Sequence, residues 1–204
     1  MLQISRSLVQ NFSLMESSRK TVSDQAMEAE WEEIQAAQQE PTLFQPLYRR
    51  YYEAMFRFVY RRTNDEQITA DLVSQVFLKA MQKLQGYQFK GVPFSAWLYR
   101  IASNQVAQHF RNTKKNRMVS IENHNLTELA EEIKPEDNQH LKDLLIESLK
   151  DLKPIELSLI ELRFFEQRPF KEIADILDIT ESNAKVKTYR ILEKMKKIIS
   201  KKMK

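Results

Sequence analysis

The sequence predicts an all-α chain: two small helical domains joined by a linker, the second containing a helix-turn-helix. Three observations carry this. Only two of the 204 residues are glycine, Gly86 and Gly91, against about 7% in ordinary chains, so turn-rich β structure and phosphate-cradling glycine loops are disfavoured. Apolar residues recur at spacings of three and four through most of the chain. And FKEIADILDITESNAKVKTYR sets a short amphipathic helix, a three-residue break and a long basic helix in succession.

Residues 1–40 read as an N-terminal extension, a lead-in followed by one helix in which Met27, Trp31 and Ile34 share a face and which Pro41 ends. In PLYRRYYEAMFRFVYRR two adjacent apolar stripes form a broad buried face, with Pro46 in the first turn. The next helix, about 65–84, buries positions 68, 72, 73, 76, 77, 80, 81 and 84, and Gly86 suits its C-terminal cap. A loop, GYQFKGVP, leads into FSAWLYRIASNQVAQHFR at 94–111. Residues 113–140 are polar, lack a steady period and read as a linker with a short helical turn near LTELAEEI. Residues 141–204 then hold helices at 141–152 and 154–165, FKEIADIL, and the basic helix.

The net charge of +4 is unevenly spread. Residues 1–40 carry −4, 41–112 carry +6, 113–140 carry −2 and 141–204 carry +4. Two basic modules separated by an acidic segment suit two approaches to a polyanion.

In the second module Ile173, Ile176 and Leu177 turn inward, Ala174 is small at a close helix crossing, and Thr180 caps the following helix. The turn needs a residue at positive φ, and Asp178 stands there instead of glycine. Ser182, Asn183, Lys185 and Lys187 would meet base edges in the major groove, and later cations such as Arg190 would meet phosphates. The alternative is a solvated basic face on an ordinary helical hairpin.

The first module suits unpaired DNA. Between Asp71 and Glu122 there are 50 residues without Asp or Glu but with eight cations. About seven acids would be expected at the chain's mean density, and each would repel a phosphate. On helix 94–111, Arg100, Asn104, Gln108 and Arg111 form a stripe of base-reading donors beside an apolar stripe that includes Phe94 and Trp97. Tyr87, Tyr99 and Trp97 are candidate stacking platforms, with core packing as the alternative role of each. The loop GYQFKGVP offers a pocket for a base turned out of the stack.

These residues together resemble the bacterial RNA polymerase sigma factors of the sigma-70 superfamily. FSAWLYRIASNQVAQHFR is similar to their "aWLyrIArN" helix, ADLVSQVFLKAMQKL to "eDLvQevFlrawrkl", and FKEIADILDITESNAKVKTYRILEKMKK to "eIAeiLgiSegTVksRlhRarkkL". With regions two and four present and little between them, the chain resembles the extracytoplasmic-function (ECF) subgroup. The resemblance implies a non-enzymatic factor that gives core RNA polymerase promoter specificity. Region two (41–112) would bind the β′ clamp through Asp71, Leu72, Gln75, Val76 and Phe77. Asp71 and Gln75 would project outward over Leu72, Val76 and Phe77. Helix 94–111 would read the minus-ten element. Region four (141–204) would read the minus-thirty-five duplex through Ser182, Asn183, Lys185, Lys187 and Arg190. Asn183 and Ala184 replace the family's usual Thr and Val. An anti-sigma factor is a candidate further partner, and the location implied is cytoplasmic.

The absence of cysteine excludes disulfides and thiolate metal sites, and the three histidines lack ligand spacing, so no metal or other cofactor is expected. No run is long and apolar enough to insert in a membrane, and the N-terminus has no signal-peptide core. Two rivals remain. A homodimeric helix-turn-helix regulator would bind duplex DNA without polymerase, but a dimerising face has no reason to exclude carboxylates. A nuclease or recombinase would need clustered carboxylates that the basic modules lack.

Overall fold

The computed structural model describes residues 22–113, 129–130, 133 and 139–202. All regular elements among them are helical. The predicted all-α fold is therefore observed. The start of the N-terminal extension and most of the linker lie outside the described residues.

Four helices build the first lobe. Helix α1 (Asp24–Gln39) is capped by Ser23, whose Oγ accepts from the Ala26 N–H, and buries Met27, Glu30, Ile34 and Ala37. A 3-10 turn at Pro41–Phe44 leads into α2 (Gln45–Thr63), which starts on Pro46 and ends at Asn64 in the left-handed region, φ 48°. Helix α3 (Glu66–Lys83) is capped by Asp65, which accepts from the Ile68 N–H at 2.9 Å. Helix α4 (Phe94–Thr113) follows the loop. Helix α1 packs beside the 3-10 turn and the loop that precedes α4, while α2, α3 and α4 pack on one another.

Two details depart from the sequence-based expectation. Gly86 closes a 3-10 turn, Leu84–Gly86, without entering the left-handed region. The residue that does so is Gly91, φ 66°. Met81, placed by periodicity on the buried face of α3, is 44% exposed. The apolar arc of α3 is wider than the face its neighbours cover, so Leu78 and Met81 emerge at its edge, Leu78 with 56% of its surface in solvent.

The second lobe comprises α5 (Gln139–Lys150), α6 (Pro154–Ile160), α7 (Phe170–Leu177) and α8 (Glu181–Lys202). Leu144, Leu145, Leu149 and Leu152 are buried as their spacing predicts. The helix expected over 154–165 changes type midway. After Ile160 it continues as a single π-helical turn, Glu161–Phe165, closed by the Glu166 N–H donating to the Glu161 carbonyl at 2.9 Å. Glu161 and Glu166, at the two ends of this bond, both pair with arginines of α2. The helix-turn-helix forms as read. Asp178 takes φ 56°, its N–H bonds back to the end of α7, and Thr180 Oγ1 accepts from the Asn183 N–H at 3.2 Å.

The two lobes pack together through α4 against α7, and one continuous set of buried apolar side chains runs through both. Leu129, within the segment read as linker, is fully buried in it.

Candidate nucleic-acid interface

Helix α8 presents its first turns to solvent. Ser182, Asn183 and Arg190 are exposed, and Lys185 and Lys187 are half-buried. Lys185 is held by Glu181 at 2.8 Å and lies near the Phe170 ring. The spacing that places Asn183, Lys187 and Arg190 on one side also places Val186 there, and it is 44% exposed. Sequence reading passed it over because one valine on a basic helix looks like core. An exposed methyl pair among donors is what a thymine methyl would contact.

The stripe on α4 is divided. Asn104, Gln108 and Arg111 are exposed. Two of the three are bonded to each other, since Arg111 donates to Gln108 Oε1, and Gln108 Nε2 donates on to Asn112 Oδ1 at 2.8 Å. Arg100 is turned toward the second lobe. It donates to the backbone carbonyl of Asp175, lies 3.4 Å from that residue's carboxylate and 3.8 Å from Asp178. Trp97 is half-buried. Its ring sits 4.8 Å from that of Tyr87, which is itself buried against Phe94 at 5.2 Å. Tyr99 has no exposed surface. It stands edge-on to Phe58 at 4.8 Å and donates to Glu166 Oε2 at 2.6 Å. Burial, then the Glu166 carboxylate, pushes its hydroxyl well above the ordinary phenol value. The loop's Phe89 is more open than these, at 36% exposed, with its ring stacked on that of Trp31.

Carboxylates of the second lobe reach the first across the boundary, two of them at Tyr99 and Arg100 of the acid-free stretch. Glu166 pairs with Arg61 and Tyr99, Glu161 pairs with the fully buried Arg62, and Asp175 pairs with Arg100. Arg62 also donates to the Phe58 carbonyl at 2.8 Å and lies over its ring. Arg168 donates back to Ser95 Oγ at 3.1 Å and Tyr99 Oη at 3.3 Å. Burial alone would lower its guanidinium, but Tyr99, Glu172 and Glu166 hold it above the ordinary value. Carboxylates of the second lobe thus pair with Arg61, Arg62 and Arg100 of the first. Beside these pairs lies a cleft of about 780 Å³, with Asn104, Phe110 and Arg111 on one wall and Ile155, Ile176 and Leu177 on the other.

On α3, Asp71 and Gln75 are exposed, while Leu72, Val76 and Phe77 are buried beneath them. Leu78, one turn from Gln75, extends this outward face with an apolar group. No helix among the described residues is long and apolar enough to cross a membrane.

The sigma-70 region 2 model matches residues 47–116, and the sigma-70 region 4 model matches 148–197. Among curated relatives, the ECF RNA polymerase sigma factor BldN of Streptomyces coelicolor is 28% identical over 163 residues, spanning 78% of this chain and 61% of BldN. The RNA polymerase sigma factor YlaC of Bacillus subtilis is 29% identical over 161 residues, spanning 76% of this chain and 91% of YlaC. A similar fold is that of the sigma factor RpoE of Bartonella quintana, solved in complex with the anti-sigma factor NepR. It has a TM-score of 0.54 and 17% identity, over 77% of this chain and 96% of that one. Both basic modules carry the match, in the order and spacing of one family, which sets aside the stand-alone helix-turn-helix regulator. The chain belongs to the sigma-70 family of RNA polymerase sigma factors, in its ECF branch.

Proposed function

We propose that this chain binds core RNA polymerase through α3, captures the separated minus-ten strand with α4 and its preceding loop, and docks α8 on the minus-thirty-five duplex. The division of the chain is an N-terminal extension (1–40), region two (41–112), linker (113–140) and region four (141–204). The observation that carries the reading is the placement of two reading helices on two lobes, with the acid-free side of one covered by carboxylates from the other. A surface that excludes its own acids and is capped by borrowed ones is matched to a polyanion.

Geometry adds a requirement. Elements named for positions about 25 base pairs apart lie about 85 Å apart on duplex DNA, at about 3.4 Å per base pair. Helix α8 packs on α7 and α7 on α4. At about 8–10 Å per helix contact the two readers are only about 20 Å apart. The closed arrangement cannot hold both elements, so the lobes separate on the promoter. Residues 114–138 reach at most about 85 Å when fully extended, which suffices once the width of each lobe is added.

The polymerase contact is Asp71 and Gln75 with Leu78 beside them, supported from beneath by Leu72, Val76 and Phe77. On the minus-ten side Asn104, Gln108 and Arg111 read directly, and Arg100 joins them when Asp175 withdraws. Tyr87, Trp97 and Tyr99 support the helix from within while the lobes are closed. On the minus-thirty-five side Ser182, Asn183, Lys185 and Lys187 meet bases, with Val186, and Arg190 meets phosphate. The chain works in the cytoplasm and contributes binding rather than catalysis. An anti-sigma factor would act by holding one or both readers covered.

The test is transcription in vitro with purified chain, core polymerase and genomic fragments. Defined new start sites are expected. No association with core and no new initiation would overturn the reading.

A further inference from the structure

Helix α1 carries a carboxylate where its pattern calls for an apolar residue. Glu30 lies in the buried stripe of Met27, Ile34 and Ala37 and is 7% exposed. Burying a carboxylate is costly unless it is fully bonded. Here three donors converge on it. Arg50 Nη1 donates to Oε1 at 3.2 Å, the Tyr51 hydroxyl donates to the same oxygen, and the backbone N–H of Phe94 donates to Oε2 at 3.2 Å. Phe94 is the first residue of α4. The first N–H groups of a helix have no partner within it, and a negative charge there also suits the helix dipole.

The first turn of α4 holds no acidic residue, and none occurs between Asp71 and Glu122. A helix that faces phosphate cannot carry its own capping carboxylate without repelling its ligand. Glu30 supplies that carboxylate from another helix, on the buried side. Two turns further along α1, Gln38 Nε2 donates to the carbonyls of Leu84 at 2.8 Å and Tyr87 at 2.9 Å, and Gln85 Nε2 donates back to the Gln38 carbonyl at 2.7 Å. Between them Trp31 packs against Tyr87 at 5.9 Å and stacks on Phe89 at 6.3 Å. Helix α1 therefore grips both ends of the 84–94 loop and the aromatic rings within it.

We infer that α1 is a positioning element for strand capture, with Glu30 and Gln38 as its positioning residues. Glu30 fixes the start of the reading helix, and Gln38 fixes the start of the loop. The inference rests on the reading of α4 and its loop given above.

The test uses the full chain with core polymerase and three DNA probes: a fork with a single-stranded minus-ten element, the same fork with one minus-ten base changed, and a minus-thirty-five duplex. Glu30→Gln keeps length but must turn its amide donor toward either Arg50 or the Phe94 N–H, neither of which can accept. Gln38→Ala removes the second grip, and Glu28→Gln, at an exposed position of α1, controls for charge. Both positioning variants should bind the correct fork about tenfold more weakly and discriminate less against the changed base. Core binding and duplex binding should stay within about twofold. Hydrogen exchange should quicken at residues 84–97 and not in α8. Both tryptophans of the chain flank Tyr87, so their fluorescence should shift in these variants alone. Equal losses on fork, duplex and core would make the effect a general loss of folding and overturn the inference. So would variants that match the unaltered chain on both forks. If the unaltered chain fails to capture the fork, the reading of α4 falls, and this inference with it.

Discussion

Replacing Glu166 with alanine should open the closed chain. Its carboxylate joins the lobes through Arg61, with the two side chains only 11% and 10% exposed, and through the Tyr99 hydroxyl at 2.6 Å. Removing one partner of so buried a pair strands the other, at a cost of about 3 kcal/mol while the lobes stay together. Separation relieves that cost, because Arg61 and Tyr99 then meet water. The open population therefore rises by up to about a hundredfold. Binding that requires the open form strengthens in proportion until that form predominates. A closed chain of this length has a radius of gyration of about 17 Å, and opening should raise it by several ångströms in small-angle scattering. In parallel, Glu166→Ala should bind a minus-ten fork more tightly than the unaltered chain, with core polymerase present at limiting concentration. An unchanged radius together with unchanged or weaker fork binding would refute the claim that these carboxylates hold the reading face shut.

Asn104→Ala removes an exposed side chain proposed to read the minus-ten strand, so it should lower minus-ten use by about tenfold and leave core binding intact. Equal loss of both, measured on fork probes and by core pull-down, would count against the assignment. Leu78→Arg places a charge at a position 56% exposed. It should abolish core association while moving the melting temperature by no more than about 2 °C, read by calorimetry. Glu172 is 3% exposed, and burial raises its carboxyl above the ordinary value although Arg168 pulls the other way. A raised folded pKa means stability that is present below the unfolded value, near 4.5, and lost as pH climbs through the folded one. Glu172→Gln should therefore gain on the unaltered chain as pH rises from about 4.5 to 7, as denaturant midpoints across that range would record.

What was legible in the sequence, and what was not, divides along one physical line. Local rules act within a few residues, and they placed Asp178 at positive φ, Thr180 as a cap, Pro46 in a first turn, and Leu72, Val76 and Phe77 beneath Asp71 and Gln75. Each depends on a neighbour within one or two helical turns. The role of Arg100 depends on Asp175, 75 residues away, and that of Tyr99 on Glu166, 67 away. No periodicity carries such partnerships. The π turn at Glu161–Phe165 was equally silent, since residues 157–165 are buried on every side and leave no amphipathic phase for an inserted residue to shift. Yet each long-range surprise left a trace. Fifty residues without an acid form a surface that must find its anions elsewhere, whether from DNA, from Glu166 and Asp175 across the boundary, or from Glu30 behind it. Glu30 itself interrupts an apolar stripe of which Met27 and Ile34 were read from their spacing. A charge out of pattern on a buried face is a demand for partners, and here Arg50 and Tyr51 of α2 are joined by the first N–H of the helix whose own first turn holds no acid.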